Sequence, residues 1–211
     1  MSKSTVASRM RFTPLALTTV LLSAGLLSLS VTGTLSGFTA AITNSVNSAA
    51  TGTLVMQEQN AGATVTCTSV DGSGITTNAA TCSTVNEFGG TTTMVPGTPV
   101  TTTVTIRNTG TLNASTFMLT PGGTCTQTSI ATPAGTATDL CTKLTLVVKQ
   151  DGTQISSGTL TAFAGSAAKN LTTVAAGGTS TFTFTVTLDA AATNAYQGLQ
   201  ASVPMTWTFN S

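Results

Sequence analysis

The chain has 211 residues, of which only 7 are Lys or Arg and 6 are Asp or Glu, and it contains no His. So little charge leaves no basic stripe for nucleic acid or anionic lipid. The absence of His removes the usual zinc ligand and the usual base of a Ser or Cys nucleophile. The composition is otherwise rich in Thr, Ala, Val and Gly, and β-branched side chains favour strands. We expect a strand-rich domain that binds no cofactor or metal and is not an enzyme.

The first 36 residues have the three-part pattern of a secretory signal peptide. Three cationic side chains precede an uncharged apolar run over residues 15–31, and small residues follow. The run is shorter and less apolar than the roughly 20 residues that span a bilayer. We predict export without a membrane anchor, with cleavage between Ser36 and Gly37. Mass spectrometry of the secreted protein would then find Gly37 as the first residue.

An uncharged segment with a period of two follows this cleavage site. The even-numbered positions are apolar apart from Asn44, and they hold Phe38, Ala40, Ile42 and Val46. The odd-numbered positions hold small or polar residues. Because successive side chains of a strand point to opposite faces, the pattern predicts an amphipathic strand. It pairs either within its own sandwich or with another chain.

Four cysteines lie in or beside residues 68–90 and 120–140, two Thr-, Gly- and Ala-rich stretches that we expect to be surface loops. An even number of cysteines in an exported chain indicates disulfides. Without His or a CxxC motif, zinc is a poor alternative. Three connectivities are open, and the order of the cysteines favours two local bridges. These are Cys67–Cys82 and Cys125–Cys141.

Alternation of apolar and polar residues marks three later strands, over residues 100–106, 182–188 and 203–209. Such alternation is typical of half-buried antiparallel strands. With regular turns and no βαβ rhythm, it predicts an antiparallel β-sandwich of jelly-roll type with disulfide-restrained loops. The predicted organisation is a signal peptide over residues 1–36, an N-terminal segment over 37–50 and the sandwich over 51–211.

One hairpin has a strong local signal. Asp151-Gly152 is a favoured two-residue turn, and residues 143–149 and 154–163 on either side are predicted to be its strands. Helix signals are weak and limited to residues 189–196.

Few residues outside these patterns could carry chemistry. Glu58 and Glu87 could form a glycosidase-like carboxylate pair, but isolated acids on Thr-rich strands are more often solvated. Trp207 could stack on a sugar, but its place on an apolar strand face favours core packing. The three lysines after the leader could form Lys–Asn cross-links, but the sequence alone does not determine which Asn lies near them in the fold.

Three groups of short motifs, spread over nearly the whole chain, form a recognisable series. The first group is Gly-Thr-Leu-Ser at 33–36 with Phe38 and Gly-Thr-Leu at 52–54. The second is Pro96-Gly97 with Asn-Thr-Gly-Thr-Leu at 108–112. The third is Asn-Ala-Tyr-Gln-Gly at 194–198 with Trp-Thr-Phe at 207–209. In this order they resemble the leader, strand and C-terminal motifs of the TasA/camelysin family. The family has an aromatic residue and Ala where this chain has Leu35 and Ser36, which leaves the processing peptidase open.

The resemblance implies a secreted jelly-roll subunit of biofilm-matrix or pilus-like extracellular fibres. Its partners would be copies of itself, with an accessory matrix subunit and a dedicated signal peptidase as further candidates. In TasA-like members the segment after the cleavage site can complete a neighbour's sheet. By this likeness Phe38, Ala40, Ile42 and Val46 are the donor-strand residues.

Two other classes of function stay open. Camelysin-like members carry a metallopeptidase label, but this chain has no His and no closely paired acids to hold a metal. The main alternative is a monomeric secreted adhesin or carbohydrate-binding protein.

Overall fold

The computed structural model describes residues 41–42, 47–71, 78–90 and 93–211. Ala50–Ser211 forms a compact unit. The predicted cleavage site at Ser36 and Gly37 lies outside the described residues.

Antiparallel strands dominate the described part of the chain, and its helices are short, which confirms the prediction of an all-β fold. The elements are β1 Met56–Asn60, β2 Thr66–Thr68, β3 Pro99–Asn108, β4 Thr116–Pro121, β5 Thr126–Ser129, α1 Leu140–Lys143, β6 Leu144–Gln150, β7 Thr153–Thr159, α2 Leu160–Ala164, β8 Lys169–Asn170, β9 Thr179–Leu188, a 3-10 turn Asn194–Tyr196, β10 Leu199–Ser202 and β11 Met205–Asn210.

Within the described residues the strands form a large sheet in the order β2-β1-β3-β9-β6-β7, a three-stranded sheet β11-β4-β8 and a two-stranded sheet β10-β5. The large sheet and the three-stranded sheet pack face to face through their aromatic side chains. The ring of Phe117 on β4 stands nearly perpendicular to that of Phe182 on β9, with centroids 5.7 Å apart. This is a sandwich in two layers, and its jelly-roll topology stays a prediction.

The centre of the large sheet follows the predicted alternation. On β9, Phe182 and Phe184 are fully buried, and on β3 the same holds for Val104 and Ile106. Val104 lies directly opposite Phe182 in the ladder, so the apolar residues of both strands share the inner face. The period-two pattern thus places the core on one face of the sheet.

The hairpin of β6 and β7 turns at Asp151 and Gly152, as predicted. Their φ angles are 47° and 84°, the left-handed values that a tight hairpin turn requires at both positions. The predicted end of the second strand at residue 163 is wrong. The observed strand β7 ends at Thr159, and α2 follows it directly. The Thr159 side chain accepts a hydrogen bond from the Ala162 amide at 3.2 Å, and this cap starts a helix where alternation alone suggested a strand.

Three other boundaries differ from the prediction. The expected loop over residues 120–140 contains β5, which pairs with β10. The predicted helix over residues 189–196 is a 3-10 turn at its end only, since the Asp189 side chain holds the start in a turn by accepting from the Ala191 amide. The last strand begins at Met205 rather than at residue 203.

Two motifs that carried the family resemblance meet in the structure. The Thr53 carbonyl accepts from the amides of Thr111 and Leu112 at 2.8 and 2.9 Å. Gly110 lies so close that a Cβ on it would overlap the Thr53 carbonyl oxygen. Asn108, fully buried, accepts from the Gly110 amide and donates to the Leu112 carbonyl. Asn-Thr-Gly-Thr-Leu is therefore a turn built to receive Gly-Thr-Leu.

Both predicted disulfides are confirmed. Cys67 is bonded to Cys82 with their Cα atoms 6.0 Å apart, and Cys125 to Cys141 at 6.1 Å. The first bridge ties residues 78–90 to β2, and the second ties α1 to the start of β5.

Candidate functional site

The two ladders formed by β10 with β5 and by β11 with β4 follow each other along the same two stretches of chain. β11 pairs with β4 from Met205 opposite Pro121, and β10 pairs with β5 from Ser202 opposite Thr126. A hydrogen bond of 2.8 Å from the Gly122 amide to the Pro204 carbonyl joins the two ladders. Residues 199–210, here called the edge strand, therefore run as one bent strand beside β4 and β5.

The inward face of the edge strand is apolar but only partly covered. Its members are Leu199, Ala201, Val203, Met205, Trp207 and Phe209, all of one parity and all packed on the core. Of these only Val203 is buried, whereas the inward residues at the centre of β9 are almost fully buried. The core is thus less completely sealed along the edge strand than at the centre of the large sheet.

The outer edge of this strand lacks the usual protection. Among the residues that the structure describes, β10 pairs only with β5 and β11 only with β4. Residues 199–210 carry no charge, and Pro204 is the one element that opposes further pairing. Natural proteins usually block open edges with charge, bulges or cover, because exposed backbone groups pair with other strands. β7 is also an uncharged margin, but Ile155 is its only large apolar side chain.

A cavity of about 550 Å³ lies against the β10 half of the edge strand. Leu199 and Val203 line one side of it. A second group of lining residues, here called the loop wall, consists of Asn86, Glu87, Phe88, Gly90, Met94 and Pro96. Core side chains close it, including Leu140, Leu144, Leu160, Val186 and Leu188. Its size is that of a small binding pocket, and its lining combines apolar with polar side chains.

A buried carboxyl group lies beside the β11 half of the edge strand. Glu58 on β1 is only 7% exposed, and one of its oxygens accepts a hydrogen bond of 3.1 Å from the indole N–H of Trp207. Its carboxyl group is also hydrogen-bonded to that of Glu87 on the loop wall. The ring of Phe88, next to Glu87, packs edge-on against Phe184 at 6.5 Å. Glu58 thus contacts both the loop wall and the edge strand.

Burial controls the titration of this pair. The pKa of Glu58 is raised from 4.5 to about 7, chiefly by desolvation and then by the negative charge of Glu87, while the Trp207 hydrogen bond opposes the shift. Desolvation also raises the pKa of Glu87. Because a carboxylate at buried Glu58 would be repelled by that of half-buried Glu87, the pair retains a proton near neutral pH.

We expect the stability of the protein to fall as the pH rises from about 5 to 8. Between pH 4.5 and about 7 the folded chain binds more protons at Glu58 than the unfolded chain does, so the free energy of unfolding decreases with pH. A shift from 4.5 to about 7 corresponds to about 3 kcal/mol. Denaturant unfolding across this range would measure the fall, and Glu58→Gln should remove most of it. An equal slope in both proteins would contradict the assignment.

The sequence placed some of these residues and missed others. Trp207 packs on the core as predicted, 4.5 Å from the Phe182 ring. The expectation that Glu58 is solvated is wrong, because its strand position points the side chain inward. Ile42, one of the predicted donor-strand residues, is 99% exposed, while Phe38, Ala40 and Val46 lie outside the described residues.

Neither the protein-family models nor the curated protein sequences that we searched match this chain. The two disulfides indicate that the chain folds in an oxidising, non-cytoplasmic environment. In the described residues no helix is long and apolar enough to cross a membrane.

Proposed function

We propose that this chain is a secreted structural subunit that polymerises into extracellular fibres of the biofilm-matrix or pilus type. Residues 37–46 of one subunit add to the edge strand of the next, and the chain propagates head to tail. A contact of this kind joins different surfaces of the two subunits and does not close, so it generates a filament.

The open edge strand is the observation that carries the proposal. It offers a row of backbone groups without strand partners among the described residues, and it carries no charge and lies beside a cavity that core side chains help to line. A strand added there forms main-chain hydrogen bonds along its length and places alternate side chains against the core. Peptide recognition by strand addition needs both of these features.

The proposed donor has the matching chemistry. Its apolar residues recur with period two, and Ile42 is 99% exposed in the single chain. Each ladder hydrogen bond contributes about 1 kcal/mol net, and burying a Phe, Ile or Val side chain contributes roughly 1.5–3 kcal/mol. A strand with three such residues, Phe38, Ile42 and Val46, therefore supplies enough free energy to hold neighbouring subunits together.

Electron microscopy of the exported protein tests the proposal. We expect the intact protein to form filaments, and we expect Ile42→Asp to abolish them because it buries an unpaired charge. Ala41→Asp is the matched control, since it adds the same charge at the neighbouring position on the opposite face. That variant should still form filaments.

Removing residues 37–46 should leave a soluble subunit that binds the missing segment as a peptide. Filaments of unchanged appearance from the truncated protein would show that the segment is an ordinary strand. Persistent monomers of the intact protein would favour a secreted adhesin instead.

A further inference from the structure

Glu58 contacts both the edge strand and the loop wall, which also meet through the rings of Phe88, Phe184 and Trp207. Its carboxyl group accepts from Trp207 on the edge strand and shares a hydrogen bond with Glu87 on the loop wall. A strand that adds to the edge strand and fills the cavity must lie beside both elements, because residues of both line that cavity. The hydrogen-bonded group therefore stands next to the entry route of the incoming strand.

We propose that Glu58, Glu87 and Trp207 form a pH-sensitive latch that holds the loop wall near the edge strand and slows strand entry while the pair keeps its proton. The latch itself follows from the geometry of these three residues, and its effect on strand entry rests on the proposed function. When the proton leaves, two adjacent carboxylates repel each other and the loop wall separates from β1.

Among the described residues, Glu87 is the titrating neighbour of Glu58. On the adjacent strands it lies opposite Ile106 of β3 and Cys67 of β2, and Cys67 is held in a disulfide. Trp207 faces it from β11 and carries no charge. Within the described residues, Glu87 is the charged group that acts on Glu58. The chain has no His, the side chain that ordinarily titrates near pH 7.

The loop wall is anchored at points other than Glu87. The Cys67–Cys82 bridge fixes residues 78–90 to β2 at one point. Beyond this bridge Val85 is buried and Phe88 packs on Phe184, contacts that involve no ionised group. Separation of Glu87 from Glu58 thus gives an incoming strand better access to the edge strand, while the sandwich stays folded.

Trp207 makes the latch directly observable, because it is the only tryptophan in the chain. We expect the indole emission of the full exported protein to change with pH, with a midpoint near pH 7. Glu58→Gln should abolish this transition, and Glu87→Gln should move it to lower pH by removing a neighbouring negative charge. Asp71→Asn, which alters an exposed carboxyl group, is the control and should leave the transition unchanged.

The same proteins test the link to assembly. The initial rate of filament formation should rise about tenfold between pH 6 and pH 8, following the ionised fraction of a group with a pKa of about 7. Glu58→Gln keeps the hydrogen bonds without a titrating proton, so its rate should stay low throughout.

Each result has a distinct meaning. Wild-type emission that stays flat from pH 5 to 8, or an unchanged transition in Glu58→Gln, would overturn the latch. A normal emission transition with a pH-independent assembly rate would overturn its control of strand entry. If no filaments form at any pH, the proposed function fails, and the emission data still decide whether the latch exists.

Discussion

Replacing Phe182 with alanine is expected to lower the free energy of unfolding by about 3–5 kcal/mol, as for other fully buried aromatic residues. Phe182 has no exposed surface, and its ring contacts Phe117 at 5.7 Å and Trp207 at 4.5 Å. These contacts join the two layers of the sandwich. Truncation therefore removes apolar burial and leaves a cavity in the centre of the interface between the layers.

Thr181→Ala provides the matched control, because Thr181 is exposed on the outer face of the same strand. The loss there should stay below about 1 kcal/mol, which reflects strand preference alone. Chemical denaturation of both variants would measure the difference. A loss at Phe182 no larger than that at Thr181 would contradict the packing of β4 and β11 on β9.

Removal of either disulfide is the second large effect that we expect. Replacing both cysteines of Cys67–Cys82 or of Cys125–Cys141 by alanine should cost about 2–5 kcal/mol, since each bridge restrains a loop in the unfolded chain. The bridges have sequence separations of 15 and 16 residues, so their entropic contributions should be similar. Thermal unfolding of the two double variants beside the wild type would measure this.

The two variants should differ in a second property. Cys67–Cys82 anchors the loop wall next to the Glu58–Glu87 pair, so its loss should also alter the emission of Trp207. Loss of Cys125–Cys141 should not, because that bridge joins α1 to the start of β5. Unchanged stability in both variants would contradict the structural role of the bridges.

Local sequence patterns predicted the parts of the fold that local physics determines. The alternation along β3 and β9 survives because one face of each strand is buried. Asp151-Gly152 forms its turn because few residue pairs adopt left-handed backbone conformations readily. The cysteine pairs followed from their order in the chain. Each of these signals lies within a short stretch of sequence.

The candidate site depended on contacts that no short stretch contains. Glu58 and Trp207 are 149 residues apart, and the polar neighbours of Glu58 on β1 give no alternation to mark it as inward. α2 was missed because one capping threonine outweighs the strand pattern around it. The pairing of β5 with β10 was missed because a Thr-rich segment of four residues resembles a loop until its partner is known.

Hydrogen exchange of the backbone amides in filaments and in the Ile42→Asp monomer tests the central claim most directly. The amides of the edge strand that point away from β4 and β5 should exchange quickly in the monomer and become protected in the filament. Amides at the outer margin of β7, another uncharged margin, should exchange equally in both. Filaments in which the outward amides of residues 199–210 exchange as fast as in the monomer would contradict strand addition at this edge.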